Sequence, residues 1–198
     1  MEAFESFVAL ALEAEKFVVS SAVKFDVKRR TAKRDYEEEQ QHGYEVDLVA
    51  ARSDALVLAT VKSFFGSGGV RSEEVLGTTS NEKKRKLYLL LNDPLIRDSV
   101  IKAAADRYGY RLDQVELRMY VGRFAAPIKG HHERAIREWA ATQKVGRGPI
   151  QIVGVRDVVG SVREAASRKQ YRDNAVLVTM KVLEAAGILE VNLPDDIG

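Results

Sequence analysis

The sequence predicts an α/β domain that opens with antiparallel strands. Three features point there: an amphipathic opening segment, three β-branched runs in quick succession, and a later alternation of helical periodicity with short apolar runs. A chain of 198 residues suits one domain, or one domain with an appendage. At that size a chain buries roughly 70% of the surface it exposes when unfolded.

Phe4, Val8, Ala11 and Leu12 recur at helical spacing, so residues 3–16 are expected to form an amphipathic helix. In the next stretch Val23, Phe25 and Val27 alternate with Lys24, Asp26 and Lys28, which predicts one long strand or two short ones. Residues 32–43 are highly charged and end in Gly43, the pattern of a solvated hairpin loop. Two strands follow, Tyr44–Ala51 and Ala55–Ser63, joined by Arg-Ser-Asp as an antiparallel hairpin. The second is almost continuously apolar, as a central strand covered on both faces would be.

Phe64–Val70 is a glycine-rich turn, and residues 71–86 are polar and end in a basic run. Asp93-Pro94 is a helix-start signal, with Ile96, Val100, Ile101 and Ala104 as the buried stripe up to Tyr108-Gly109. Val115–Phe124 alternates as a strand, and residues 130–144 read as a helix carrying Trp139. Ile150–Val155 is a short strand. Asp157 is expected to cap a helix reaching Lys169, and Asn174–Gly187 to form a last one.

Composition narrows the chemistry. With no cysteine, disulfides, thiol nucleophiles, Cys-ligated zinc and iron–sulfur clusters are excluded. No apolar run approaches the ~20 residues of a membrane span, and the acidic start does not read as a secretion signal. A cytoplasmic protein without a membrane partner is the expectation. Basic and acidic residues number 31 and 29, so any case for nucleic acid has to come from local sites.

The informative stretch is Gly43–Gly69. Residues two apart on a strand share a face, which predicts Glu45 with Asp47 on one strand and Thr60 with Lys62 on its neighbour. Hairpin pairing brings the two pairs together. Carboxylates beside a lysine at a strand end are what phosphodiester cleavage with Mg2+ or Mn2+ requires: the acids hold a hard cation, and the lysine steadies nucleophile and phosphate.

At these residues the chain resembles the PD-(D/E)XK nuclease superfamily, the restriction-endonuclease-like fold. Asp47 falls on the family's first acid and Lys62 on its lysine, and Phe4-Glu5-Ser6-Phe7-Val8 with Leu12 is similar to the pattern that places a glutamate in the opening helix. The resemblance implies a core of helix, three-stranded antiparallel meander, helix and strand over residues 1–155, with a C-terminal helical extension over 156–198. It implies DNA as substrate, with Asp47, Glu45 and Glu5 as metal ligands and Thr60 and Lys62 completing the site; Glu13 and Glu15 are alternatives to Glu5. Two positions depart from the pattern: Val46 stands where a proline is common, and Thr60 where the second acid is expected. A neutral hydroxyl is a weak ligand. Either Glu45 or Glu5 supplies the missing charge, or the chain is a relative that has lost cleavage and serves as a binding module.

Plainer readings stand beside these. Asp47 and Lys62 can form an ordinary cross-strand ion pair, and Glu5 and Glu45 can lie on solvated faces. Lys28, Arg29 and Arg30, and the run Lys83, Lys84 and Arg85, can track phosphates or simply be solvated. Ser63 and the glycine turn beyond it would lie beside any site and touch a DNA backbone. His131-His132-Glu133 diverge on a helix, which argues against zinc. A homodimer built on the C-terminal helices is compatible with the sequence.

Overall fold

The computed structural model describes residues 2–33, 36–126, 131–167 and 174–190, with the side chains of 28–42 and 190 left out. Helix α1 (Ala3–Ala14) buries Phe4, Val8, Ala11 and Leu12, the predicted stripe. Its end is a Schellman turn: the N–H of Lys16 donates to the Glu13 carbonyl and that of Phe17 to the Leu12 carbonyl. Lys16 takes φ 71°, a conformation that suits glycine. Lys16→Gly is therefore expected to stabilise the fold by about 1 kcal/mol, read as a higher urea midpoint at unchanged m.

Strands β1 (Val18–Lys33), β2 (Tyr36–Arg52) and β3 (Ala55–Lys62) form the antiparallel meander. Of the charged segment 32–43, expected as a loop, the described residues 32–33 and 36–43 instead form the far part of a long hairpin ribbon. Its register places basic positions opposite acidic or amide ones, Arg30 with Glu39 and Lys28 with Gln41. Opposite charges across a ladder favour pairing, a signal that local hydrophobicity does not carry.

Short helices α2 (Ser72–Val75), α3 (Glu82–Lys86) and α4 (Leu89–Asn92) lead to α5 (Pro94–Tyr108). Asp93 caps α5 by accepting from the N–H groups of Leu95 and Ile96, and Gly109 ends it at φ 75°. Strand β4 (Val115–Val121) then lies parallel to β3. Helix α6 (His132–Thr142) and a small hairpin of β5 (Lys144–Val145) and β6 (Gly148–Pro149) precede β7 (Gln151–Gly154), which is parallel to β4. Helix α7 (Val155–Ser167) starts two residues before Asp157, whose carboxylate accepts from the Gly154 N–H rather than from the helix. The predicted extension of α7 to Lys169 lies outside the described residues. Helix α8 (Ala175–Ala185) is the last α-helix among the described residues.

The result is a mixed α/β fold around a five-stranded mixed sheet, ordered β1-β2-β3-β4-β7. One face carries α4, α5 and α6 against Leu56, Leu58, Leu117 and Met119. The other carries α1, α7 and α8 against Val57, Ala59, Val61 and Tyr120, with Val158, Val162 and Ala166 packed into the same cluster as α1. Strand β3 is buried along its length except at Lys62, as its apolar run predicts. Among the described residues no helix is long and apolar enough to cross a membrane.

The meander contains one irregularity that sets the site. Val46 belongs to the first core and Leu48 to the second, although they lie two apart on one strand. On β1, Val19 packs on the second core and Val23 on the first. The alternation of both strands therefore slips together between these positions, where Ala22 takes φ 52°. The register of β1 with β2 is the same on both sides of the slip. Only the faces exchange.

Candidate active site at the fork of the sheet

Strand β3 pairs with β2 only from Leu48 to Arg52, so the two part at Asp47. A strand that loses its neighbour leaves backbone N–H groups without acceptors. Asp47 fills that gap with its side chain: Oδ2 accepts from the Val61 N–H at 2.6 Å and from the Thr60 hydroxyl at 3.1 Å. The Lys62 ammonium lies 3.8 Å from the same oxygen. Both charged side chains are largely buried, at 25% exposure for Asp47 and 18% for Lys62. Lys62 also stands 6.0 Å above the centre of the Tyr88 ring, an aromatic floor that favours a cation. Asp47, Thr60 and Lys62 are thus brought together as the sequence predicts.

Glu45 is not brought with them. The slip at Ala22 and Asp47 breaks the rule that residues two apart share a face, and Glu45 faces its cross-strand partner Lys24 at 3.7 Å. Glu5 accepts from the Glu2 N–H at 3.0 Å, a helix-start contact. Of its alternatives, Glu15 binds the Arg118 guanidinium at 2.9 Å. Among the described residues no three His, Asp or Glu side chains stand close enough together to hold a metal ion. Sequence reasoning passed over Glu2, whose carboxylate lies 3.5 Å from the Ser63 hydroxyl, just beyond Lys62.

The basic positions divide. Lys84 reaches across to Glu74 at 2.8 Å and Lys86 pairs with Glu82 on its own helix, while Lys83 and Arg85 are exposed. The side chains of Lys28, Arg29 and Arg30 lie outside the described residues, although their backbone belongs to β1.

Sequence reasoning also missed the polar wall beneath the pair. Glu74 is buried, and the Tyr88 hydroxyl close to it is buried without a hydrogen-bond partner among the described residues. Burial pushes the Tyr88 phenol up, and the Glu74 carboxylate adds to the shift. Burial also raises Tyr44, whose oxygen accepts from the Leu90 N–H, and the Asp47 charge contributes in the same direction. An unpaired buried hydroxyl costs about 1–3 kcal/mol. Tyr88→Phe keeps the ring under Lys62 and is expected to raise unfolding stability by a similar amount, measured by urea denaturation.

His132 is buried and takes a structural role. Its Nδ1 accepts from the Ser72 N–H at 3.3 Å and lies 3.0 Å from the Ser72 hydroxyl, tying α6 to α2. A cleft of about 540 Å³ opens beside it, yet its arginines are already matched: Arg137 with Glu133 and Arg134 with Glu138.

No protein-family model and no curated protein matches the chain. Among solved structures it is similar to the crystal structure of a protein of unknown function, AF1548, at 14% identity and a TM-score of 0.43, over 93% of this chain and 77% of that one. Likeness at that level says nothing of what the chain does.

Proposed function

We propose that this protein is a nuclease-like domain that acts on DNA, hydrolysing phosphodiester bonds with Mg2+ or Mn2+. The observation that carries the reading is the largely buried pair of Asp47 and Lys62, side by side where β2 and β3 part. The order of helix, antiparallel meander, helix and parallel strand supports a restriction-endonuclease-like core. Asp47 is the residue that would hold a hard cation, through its one carboxylate, with water and substrate phosphate as the other oxygen donors, a count that magnesium accepts. When bound, such an ion polarises the phosphate and the attacking water.

The chain's own groups have distinct tasks. The Val61 N–H and the Thr60 hydroxyl hold the Asp47 carboxylate in one orientation. Lys62 brings a fixed positive charge to the place where negative charge grows on the phosphate, and its N–H groups orient the water. The Tyr88 ring keeps bulk water from beneath that ammonium.

A second reading is a binding module that does not cleave, and one observation favours it. Thr60, in the place of an acid, donates to Asp47 instead of joining it as a ligand, while Glu45 and Glu5 are engaged elsewhere. Conversion of supercoiled to nicked DNA, with Mg2+, with Mn2+ and with neither, separates the readings. Metal-dependent nicking supports the first; salt-sensitive binding without nicking supports the second. Neither binding nor nicking overturns both.

A further inference from the structure

Helix α6 begins at the cleft of about 540 Å³, and its first residues, His132, Glu133 and Arg134, belong to the lining. A helix start leaves backbone N–H groups without intrahelical acceptors and gathers about half a positive charge. At α6 no side chain caps them from the N-cap position, which His131 occupies. A bare helix start is not by itself a site. What singles this one out is His132, only 6% exposed, whose two ring nitrogens have different surroundings. A backbone N–H can only donate, so the bond from the Ser72 N–H makes Nδ1 an acceptor and leaves the proton of the neutral ring on Nε2. The Ser72 hydroxyl and the Glu73 carboxylate also approach Nδ1, at 3.0 and 3.5 Å. Nε2 has no hydrogen-bond partner among the described residues, yet it is not sealed from solvent, and His132 lines the cleft. A mostly buried ring with an unspent N–H therefore opens at the positive end of a helix.

The rest of the lining narrows the ligand. Phe124 and Ala125 give it an apolar side, and the Arg137 guanidinium lies 6.0 Å from the centre of the Phe124 ring. Arg137 is spent on Glu133 and on the Ile152 carbonyl, so it serves as wall. Arg134 gives its Nε to Glu138 at 2.7 Å, an exposed pair of i,i+4 type that is worth little and leaves the Nη groups for a ligand. Glu133 and Glu138 line the cleft as well, and these two pairs offset their repulsion toward an anion. The volume is that of a small-molecule pocket rather than of a single inorganic ion.

We infer that this cleft binds a small organic anion, a carboxylate or phosphate monoester, whose charged end accepts from Nε2 of His132 at the start of α6 while an apolar body lies against Phe124. The site is separate from the fork at Asp47 and stands whether or not the protein cleaves DNA.

The test is titration of the full chain with benzoate, phenyl phosphate, inorganic phosphate and benzylamine, followed by calorimetry and by the imidazole nitrogen resonances of His132. Before any addition those resonances are expected to place the proton on Nε2. At least one of the two aryl anions should shift them and bind about tenfold or more tighter than inorganic phosphate, and the tighter of the two tells carboxylate from phosphate ester. Benzylamine should not bind. His132→Asn keeps an acceptor for the Ser72 N–H but lacks the Nε2 donor, and its affinity should fall about tenfold or more. Lys62→Ala should bind as wild type does. A proton on Nδ1 in the neutral ring, equal affinity of His132→Asn and wild type, loss of binding in Lys62→Ala, or no binding of either aryl anion overturns the inference. So does inorganic phosphate or benzylamine binding as tightly as the aryl anions. Should His132→Asn fail to fold, the wild-type resonances and Lys62→Ala still decide.

Discussion

Lys62→Ala is expected to reduce metal-dependent DNA cleavage by about 10²–10³-fold, the usual consequence of removing one group that stabilises charge in a transition state. The fold should survive, because Asp47 keeps its two hydrogen bonds to β3 when the lysine is lost. Lys62→Arg should not restore the rate, since a planar fork does not replace a compact ammonium in a largely buried position. The matching variant is Asp47→Asn, which removes the charge while its amide oxygen still accepts from the Val61 N–H. Asp47→Ala would mix two effects, because it leaves that N–H, on a residue only 8% exposed, without its acceptor. An unsatisfied group of this kind costs about 1–3 kcal/mol. Nicking assays beside circular dichroism of each variant separate rate from stability. Undiminished cleavage by Lys62→Ala would sink the assignment of the pair.

Alkaline solution should unfold the protein steeply. Burial raises the phenols of Tyr44, Tyr88 and Tyr120 above the ordinary value near 10, with the Arg118 guanidinium working against the shift at Tyr120. In the unfolded chain these groups ionise as pH passes 10, while the native state still holds their protons. The native form then binds more protons than the unfolded one, so stability falls as pH rises. Each phenol contributes up to about 1.4 kcal/mol per pH unit between its unfolded and folded values. Urea midpoints measured across that range should drop, and Tyr88→Phe should flatten the fall. A midpoint independent of pH above 10 would contradict the burial of these hydroxyls.

Much of this architecture is legible in the residues. The stripe of Phe4, Val8 and Leu12 and the unbroken apolar run of β3 predict a helix and a strand covered on both faces, because burial is written directly in hydrophobic periodicity. Asp93-Pro94 and Gly109 mark both ends of α5, because caps depend on local chemistry. What escapes is non-local. The backbone ladder that pairs 28–33 with 36–41 sets a basic stretch opposite an acidic one, and neither segment taken alone reads as a strand. Glu45 fails for a subtler reason: the alternation that places it with Asp47 assumes an unbroken pleat, and the break is at Ala22, a residue with no polar side chain. Glu74 comes to the wall of the site from the short helix α2 and Tyr88 from the turn that precedes α4, through contacts that no spacing in the chain announces.

The slip at Ala22 has a consequence for anyone who re-engineers the hairpin. Trimming matched rungs from the Lys33–Tyr36 end changes only the ribbon's reach, because that end lies on the far side of the slip. Deleting Val46, the residue of β2 just before Asp47, would be a different operation. It would shift the phase of every position on one side of the cut, and with it whether the carboxylate meets Lys62 or points away with Glu45. The sheet therefore works as a two-position selector, in which a residue without a reactive atom determines whether Asp47 faces the lysine.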